Sequence, residues 1–303
     1  MTEVSLATAL GLIVLGLFAG WLGAVVGIGG GVVIVPALVL AFGFDIRVAV
    51  AASLVAVVAT STAAGSAYVG EGLANMRLGM TLEIATTLGG ITGGLVAVLI
   101  APSVISGLFA VMMVVTTVLV LRGRDDHGEL DGTDLDDDDE ADAGVEPGMP
   151  GLKGYETPGR LAGAYYDPHR QAMVAYEAER LEVGSGISFF AGALSGLLGV
   201  GGGFLKVPAM NLGMKVPLKV AAATSNFMIG VTAIASLFVY FARGYLHPLV
   251  AAPLAVGVVG GALIGARVSA HVSPTVLRRI LAVVLLFVSL QMALNALGVS
   301  FGR

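Results

Sequence analysis

Apolar runs of about 18 or more residues recur along this chain, and a helix of that length crosses roughly 30 Å of hydrocarbon. Apolar segments fall at about 4–27, 32–43, 48–69, 78–100 and 103–121, then at about 184–199, 204–214, 218–241, 248–271 and 275–297. Only 12% of the residues are charged and 56% are hydrophobic, whereas a soluble domain carries roughly 25% charge. That balance excludes a soluble globular enzyme, and no basic stripe is present to hold nucleic acid. The absence of cysteine excludes disulfides, iron–sulfur clusters and thiolate metal sites. Met1 to Leu6 carries no basic residue, so the first apolar run is expected to be a retained span rather than a cleaved signal.

The two sets of segments are copies. Sliding the chain by 172 residues aligns them without a gap, and 26 of the 92 paired positions (20–111 against 192–283) are identical. Gly27, Gly29, Gly30, Gly31, Val35, Pro36 and Ala37 meet Gly199, Gly201, Gly202, Gly203, Val207, Pro208 and Ala209. The register then runs on through Ser53/Ser225, Thr60/Thr232, Tyr68/Tyr240, Gly89/Gly261, Gly93/Gly265 and Pro102/Pro274. A period this long belongs to a duplicated membrane unit, not to a solenoid. The chain therefore divides into a first transmembrane repeat (1–121), a linker (122–183) and a second transmembrane repeat (184–303).

The linker has a different composition. It holds 6 of the 16 Lys/Arg and 17 of the 21 Asp/Glu, a local charge of −11, and leaves +6 on the rest. Asp134 to Asp142 is almost wholly acidic and is flanked by glycine and proline. Such a segment buries too little apolar surface to offset its ordering entropy, so it is expected to be disordered, a solvated tether. Residues 169–182 are expected to form a short amphipathic helix leading into the second half.

Charge bias bears on orientation. With four full spans per half, the basic residues divide six against six. If the pieces flanking each glycine cluster instead form a hairpin that enters and leaves on one side, the second half is inverted. Arg77, Arg122, Arg124, Arg180, Lys215, Lys219, Arg267, Arg278 and Arg279 then share one side, against Arg47, Arg243 and Arg303 on the other. Nine against three obeys the positive-inside rule. The expectation is an all-α, polytopic helical bundle of two inverted repeats, each opening with a glycine-broken hairpin. Both termini would lie outside and the linker in the cytoplasm.

The clusters Gly27-Ile28-Gly29-Gly30-Gly31 and Gly199-Val200-Gly201-Gly202-Gly203 fit no nucleotide fingerprint. Val32 and Phe204 stand where a dinucleotide motif needs its third glycine, and Lys206 lacks the Gly-Lys-Ser/Thr setting of a P-loop. Within apolar helices such clusters mark breaks, and breaks at matching positions of two halves point to a transport site at the repeat interface. Helix starts near Val32 and Phe204 would aim free N–H groups inward, where an anion suits them. Gly29, Gly30, Gly31, Gly201, Gly202 and Gly203 are thus candidate backbone donors. Close helix packing is the competing explanation and is preferred for Gly20/Ala24, Gly23/Gly27, Gly192/Gly196 and Gly89/Gly93.

Lys206 lies in an apolar stretch where the first half has Ile34, and a lysine at depth marks function. It either contacts the anion or extends to the membrane surface. Ser53, Thr224, Ser225 and Asn226 complete the candidate lining, although such residues also bridge helices. Outside the linker the acidic residues are Glu3, Asp45, Glu71 and Glu83, and only Glu83 falls within a span, near its end. A cationic substrate is therefore disfavoured. No Ser-His pair or H-E-x-x-H stands in the spans, so an intramembrane hydrolase is not expected, and neither a metal nor another cofactor is implied.

Gly27 to Leu38 (GIGGGVVIVPAL) and Gly199 to Met210 (GVGGGFLKVPAM), with Lys219 to Met228 (KVAAATSNFM), resemble the TauE/SafE sulfite-exporter family. The likeness covers both hydrophobic halves, about four fifths of the chain, while the long acidic insert departs from the compact family pattern. The resemblance implies ATP-independent transport of small sulfur oxyanions or organosulfonates, such as sulfite, sulfoacetate or toluenesulfonate, across the cell membrane. The reading is a secondary transporter of a small anion working by alternating access in the lipid bilayer. Proton or sodium coupling and the oligomeric state are left open. A passive anion channel, or a membrane scaffold or sensor acting through the acidic linker, are the alternatives.

Overall fold

The computed structural model describes residues 5–26, 30–70, 74–122, 161–167, 172–268 and 274–296. The first half comprises α1 (Leu6–Val26), α2 (Gly31–Leu40), α3 (Ile46–Gly70), α4 (Met76–Leu99) and α5 (Pro102–Arg122). The second comprises α6 (Leu181–Leu198), α7 (Gly203–Pro208), a π-helical turn (Ala209–Gly213), α8 (Leu218–Ala242), α9 (Pro248–Val268) and α10 (Pro274–Ala296). Six of these helices contain stretches long and apolar enough to cross a membrane, among them Ile46–Ala63, Met76–Leu99 and Val220–Ala242.

Outward faces are apolar: Ile84, Phe190, Phe238 and Val256 are each about two-thirds exposed or more. Meanwhile Ser53, Thr86, Ser195, Thr224 and Thr232 are buried. Hydrocarbon, not water, is the solvent that accepts such a surface. The chain is a helical, multi-pass membrane protein.

Each half opens with a hairpin. A Cβ on Gly30 would sit 2.9 Å from the Ala19 carbonyl oxygen, and the ring of Phe42 lies against Gly11. The chain thus turns back after α1, and α2 ends beside the beginning of α1. The second half repeats this: Gly202 lies against Ala191, and Met214 against Gly184. Gly30 and Gly202 take φ of 71° and 70° immediately before the returning helices. Only glycine adopts that left-handed conformation without a steric penalty. In the second half the returning helix is shorter. Pro208 removes a donor, and the backbone widens into the π-helical turn directly after it.

The halves interlock. α1 packs along α9 and α6 along α4, while α3 packs on α8 and α9, α4 on α8, and α5 on α10. A shift of 172 residues carries this set of contacts onto itself with the halves exchanged. The glycine contacts do the same: Gly89 meets Phe189 where Gly261 meets Leu17, and Gly93 meets Ala193 where Gly265 meets Trp21. Backbone touches backbone at these places, so Gly89 and Gly93 serve packing as expected, as do Gly20, Gly192 and Gly196, while Gly27 lies outside the described residues.

α3 and α8 run antiparallel. At the start of α3, the Arg47 guanidinium donates to the Ile100 carbonyl (2.7 Å) and lies 5.5 Å from the ring centre of Tyr245, just past the end of α8. At the other end, the Asn75 N–H before α4 donates to Thr224 Oγ1 in the first turns of α8 (3.0 Å).

The linker differs from expectation where it is described. Ala172–Glu177 is not helical but forms β2, paired antiparallel with β1 (Ala162–Asp167). Residues 162–167 and 172–177 of the linker therefore pair as two strands. Tyr165, Tyr166, Val174 and Tyr176 are residue types that favour strand. Val174 and Tyr176 share one face and pack with Leu161 and Ala178 against an apolar cluster that includes Leu78, Leu82, Met210 and Met214. The acidic run Asp134 to Asp142 lies outside the described residues.

Candidate functional site

The two breaks meet between α3 and α8. A Cβ on Gly31 would run into the carbonyl oxygen of Gly199 and stand 2.9 Å from Ser53 Oγ. That hydroxyl donates to the same Gly199 carbonyl at 2.8 Å. On the other side, Gly201 and Gly203 pack against Ile229, and Gly203 faces Ser225 Oγ. Gly30, Gly31, Gly201, Gly202 and Gly203 are thus buried together in one region, with Ser53 and Ser225 on facing helices. Gly29 lies outside the described residues.

The second break carries unused hydrogen-bonding capacity. Ser225 Oγ and Ser195 Oγ are buried without a hydrogen-bond partner, and Ser195 flanks Gly202. A buried hydroxyl left unpaired costs about 1–3 kcal/mol, and such groups concentrate where a ligand completes them. Helix starts contribute as well. The first intrahelical bonds of α2 come from Val33 and Ile34 to Gly30, and those of α7 from Leu205 and Lys206 to Gly202. The N–H groups of the residues just before these donors point along the helix axes without an intrahelical acceptor.

The remaining candidates separate, because successive residues on a helix point about 100° apart. Thr224 Oγ1 is taken by Asn75 N–H. Asn226 is buried, and its backbone carbonyl accepts from Ser61 Oγ. Ser53 is satisfied by Gly199. Of the Thr224-Ser225-Asn226 trio, Ser225 alone turns a free hydroxyl toward the break.

Lys206 does not reach the membrane surface. It is completely buried, and its Nζ donates to Thr232 Oγ1 at 2.9 Å. Thr232 Oγ1 lies 2.7 Å from Glu83 Oε1, to which Thr87 Oγ1 also donates at 3.0 Å. Glu83 Oε2 stands 4.0 Å from Lys206 Nζ and has no hydrogen bond of its own. A buried ion pair therefore joins α7 of the second half to α4 of the first through a threonine of α8.

Sequence reading found the lysine but missed Glu83, Thr87 and Thr232 as its company, and Ser195 beside Gly202. Glu83 is seven residues past the start of α4, about 10 Å into the helix. As the one acid within a span it was the available signal. Its partner stands 123 residues away in sequence, and no local pattern links them.

The family described as sulfite exporter TauE/SafE matches residues 12–292. A probable membrane transporter protein of Bacillus subtilis (strain 168), YunE, is 30% identical over 261 residues, covering 83% of this chain and 85% of the relative. A probable membrane transporter protein of Xylella fastidiosa (strain 9a5c) is 25% identical over 239 residues, covering 78% of this chain and 75% of the relative. No solved structure matches the chain.

Proposed function

From the premise that the chain belongs to the sulfite exporter TauE/SafE family, we propose that this membrane transporter carries a small anion, sulfite or a related sulfur oxyanion or organosulfonate, across the cell membrane by alternating access. The observation that carries this reading is the meeting of two glycine breaks beside two buried, unpartnered hydroxyls and the starts of two re-entrant helices. Backbone N–H groups at Gly31 and Gly203, with Ser195 and Ser225, offer donors on several sides and no carboxylate among them. That set suits an oxyanion.

Support for an inverted relation between the repeats comes from the antiparallel course of α3 and α8, which are copies of one another, and from the exchange of contacts between the halves. Rocking of one repeat against the other about the breaks would expose the site alternately to the two sides. With the basic residues at the Arg77 end facing the cytoplasm, the linker lies there and the termini outside.

The test is flux of radiolabelled sulfite and toluenesulfonate into proteoliposomes, with wild type and Lys206→Ala, with and without an imposed pH gradient. Saturable flux that falls in the variant is the expected result. Flux that never saturates and ignores gradients would indicate a channel. No flux above empty vesicles with any sulfur anion would remove the substrate class.

A further inference from the structure

Lys206 and Glu83 are a charged pair in a place the fold builds twice. Shifted by 172 residues, the counterparts of Lys206, Glu83 and Thr87 are Ile34, Ala255 and Val259; the threonine between them is kept, Thr60 matching Thr232. Thr60 Oγ1 bonds to the Ala56 carbonyl as Thr232 Oγ1 does to that of Met228. The positions that hold the pair are therefore apolar in the first half, and Ile34 is as fully buried as Lys206. Packing does not require the pair.

Charge constrains what the pair can do. Lys206 with Glu83 is neutral, and each charge leans on the other in a medium that penalises an unpaired ion heavily. Gly203 at the second break packs against Ile229 of α8, about one turn from the Thr232 that Lys206 bonds, so an anion held there adds an uncompensated negative charge to a region that already holds a carboxylate. Neutrality returns when Glu83 takes a proton. Lys206 is then free to balance the anion, and the unbonded Glu83 Oε2 is the oxygen open to receive that proton.

Among the described side chains, the other charged or titratable groups on the elements packed around Glu83 are few. Arg77 on α4, Arg180 and Glu182 at the start of α6, Glu177 in β2 and Glu179 just after it are exposed, the Tyr176 hydroxyl accepts from Asn75, and the hydroxyl of Tyr240 on α8 is donated to Gly196. Glu179 is further engaged by Lys215. None competes with Lys206 for Glu83.

We infer that Glu83 is the proton-carrying group of the transporter: the anion takes Lys206 while a proton takes Glu83, so that each negative charge moved travels with one proton. This rests on the anion-transport reading above. Thr232 and Thr87 are positioning residues that hold the carboxylate within reach of the ammonium.

The experiment uses proteoliposomes loaded with a pH-sensitive dye and supplied with toluenesulfonate, whose charge is fixed across the pH range, beside sulfite, which itself takes up protons near neutrality. In wild type, toluenesulfonate entry without an imposed gradient should acidify the lumen, one proton per anion, and an inward proton gradient should accumulate the anion. Glu83→Gln should lose gradient-driven accumulation to the level of empty vesicles and flatten the pH profile. Glu83→Asp should recover part of the coupling. The inference is overturned if wild-type anion entry moves no protons, or if Glu83→Gln accumulates anion as wild type does. The wild-type arm decides the matter even if the variants fail to fold. Absence of any wild-type anion flux would overturn the transport reading itself, and this inference with it.

Discussion

Single side chains at the second break do different work and predict different phenotypes. Ser225 Oγ has no partner within the protein, so Ser225→Ala removes no internal bond and should leave thermal stability in detergent unchanged or slightly raised. A hydrogen bond to a charged ligand is worth about 1.5–3 kcal/mol. The same variant should therefore raise the KM for the anion by about ten- to hundredfold, measured as initial flux against concentration. Lys206→Met behaves otherwise. It strands the Glu83 carboxylate, which costs about 3–5 kcal/mol for a buried pair, and adding Glu83→Gln should restore much of that loss in a thermal double-mutant cycle. Gly202→Ala forces a side chain into φ of 70° and toward the Ala191 carbonyl, and the conformational penalty alone is about 1–2 kcal/mol. A lowered melting temperature, with flux reduced beyond the loss of folded protein, is the expected outcome.

Between elements, Asn75 is the joint of the cytoplasm-facing end proposed above. Its Oδ1 accepts from Leu78 N–H at 3.0 Å and caps α4, its own N–H goes to Thr224, and its Nδ2 reaches the Tyr176 hydroxyl of β2 at 3.1 Å. One residue thus ties the linker hairpin to the helix that carries Glu83 and the helix that carries Ser225. Loss of the cap alone costs about 1 kcal/mol. Asn75→Ala should lower the melting temperature and speed hydrogen exchange in 161–178 more than in α1 or α9. Equal protection throughout would mean the hairpin is held by its apolar contacts to Leu78 and Met214 and not by Asn75.

For the assembled bundle, the absence of cysteine makes sidedness directly measurable. Single cysteines at Asp45 and Arg243 should react with an impermeant maleimide from one face of the membrane, and cysteines at Arg77 and Glu179 from the other. Reaction of Asp45→Cys and Arg243→Cys from opposite faces would remove the inverted arrangement. The interlocking of α1 with α9 and α6 with α4 gives a second expectation. Neither half should fold when expressed alone, because each buries its glycine faces against the other.

Spans, duplication and breaks were legible in the chain because they are one-dimensional. Hydrocarbon thickness sets segment length, a repeat keeps its register, and glycine clusters with a following Val-Pro mark where a helix must stop. The packing role of Gly89, Gly93 and Gly192 was equally readable, since small residues at helical spacing permit one backbone to approach another. The company of Lys206 was not readable: Glu83 and Thr232 reach it from two other helices, and the same register gives Ile34 and Ala255 at the equivalent junction. The strand pair 162–167 and 172–177 was missed because Val174 and Tyr176 gain their partner surface from Leu78, Leu82 and Met214, distant in sequence. Desolvation and charge pairing depend on which surfaces meet, and in this protein tertiary packing alone brings the lysine, the carboxylate and the threonine between them together.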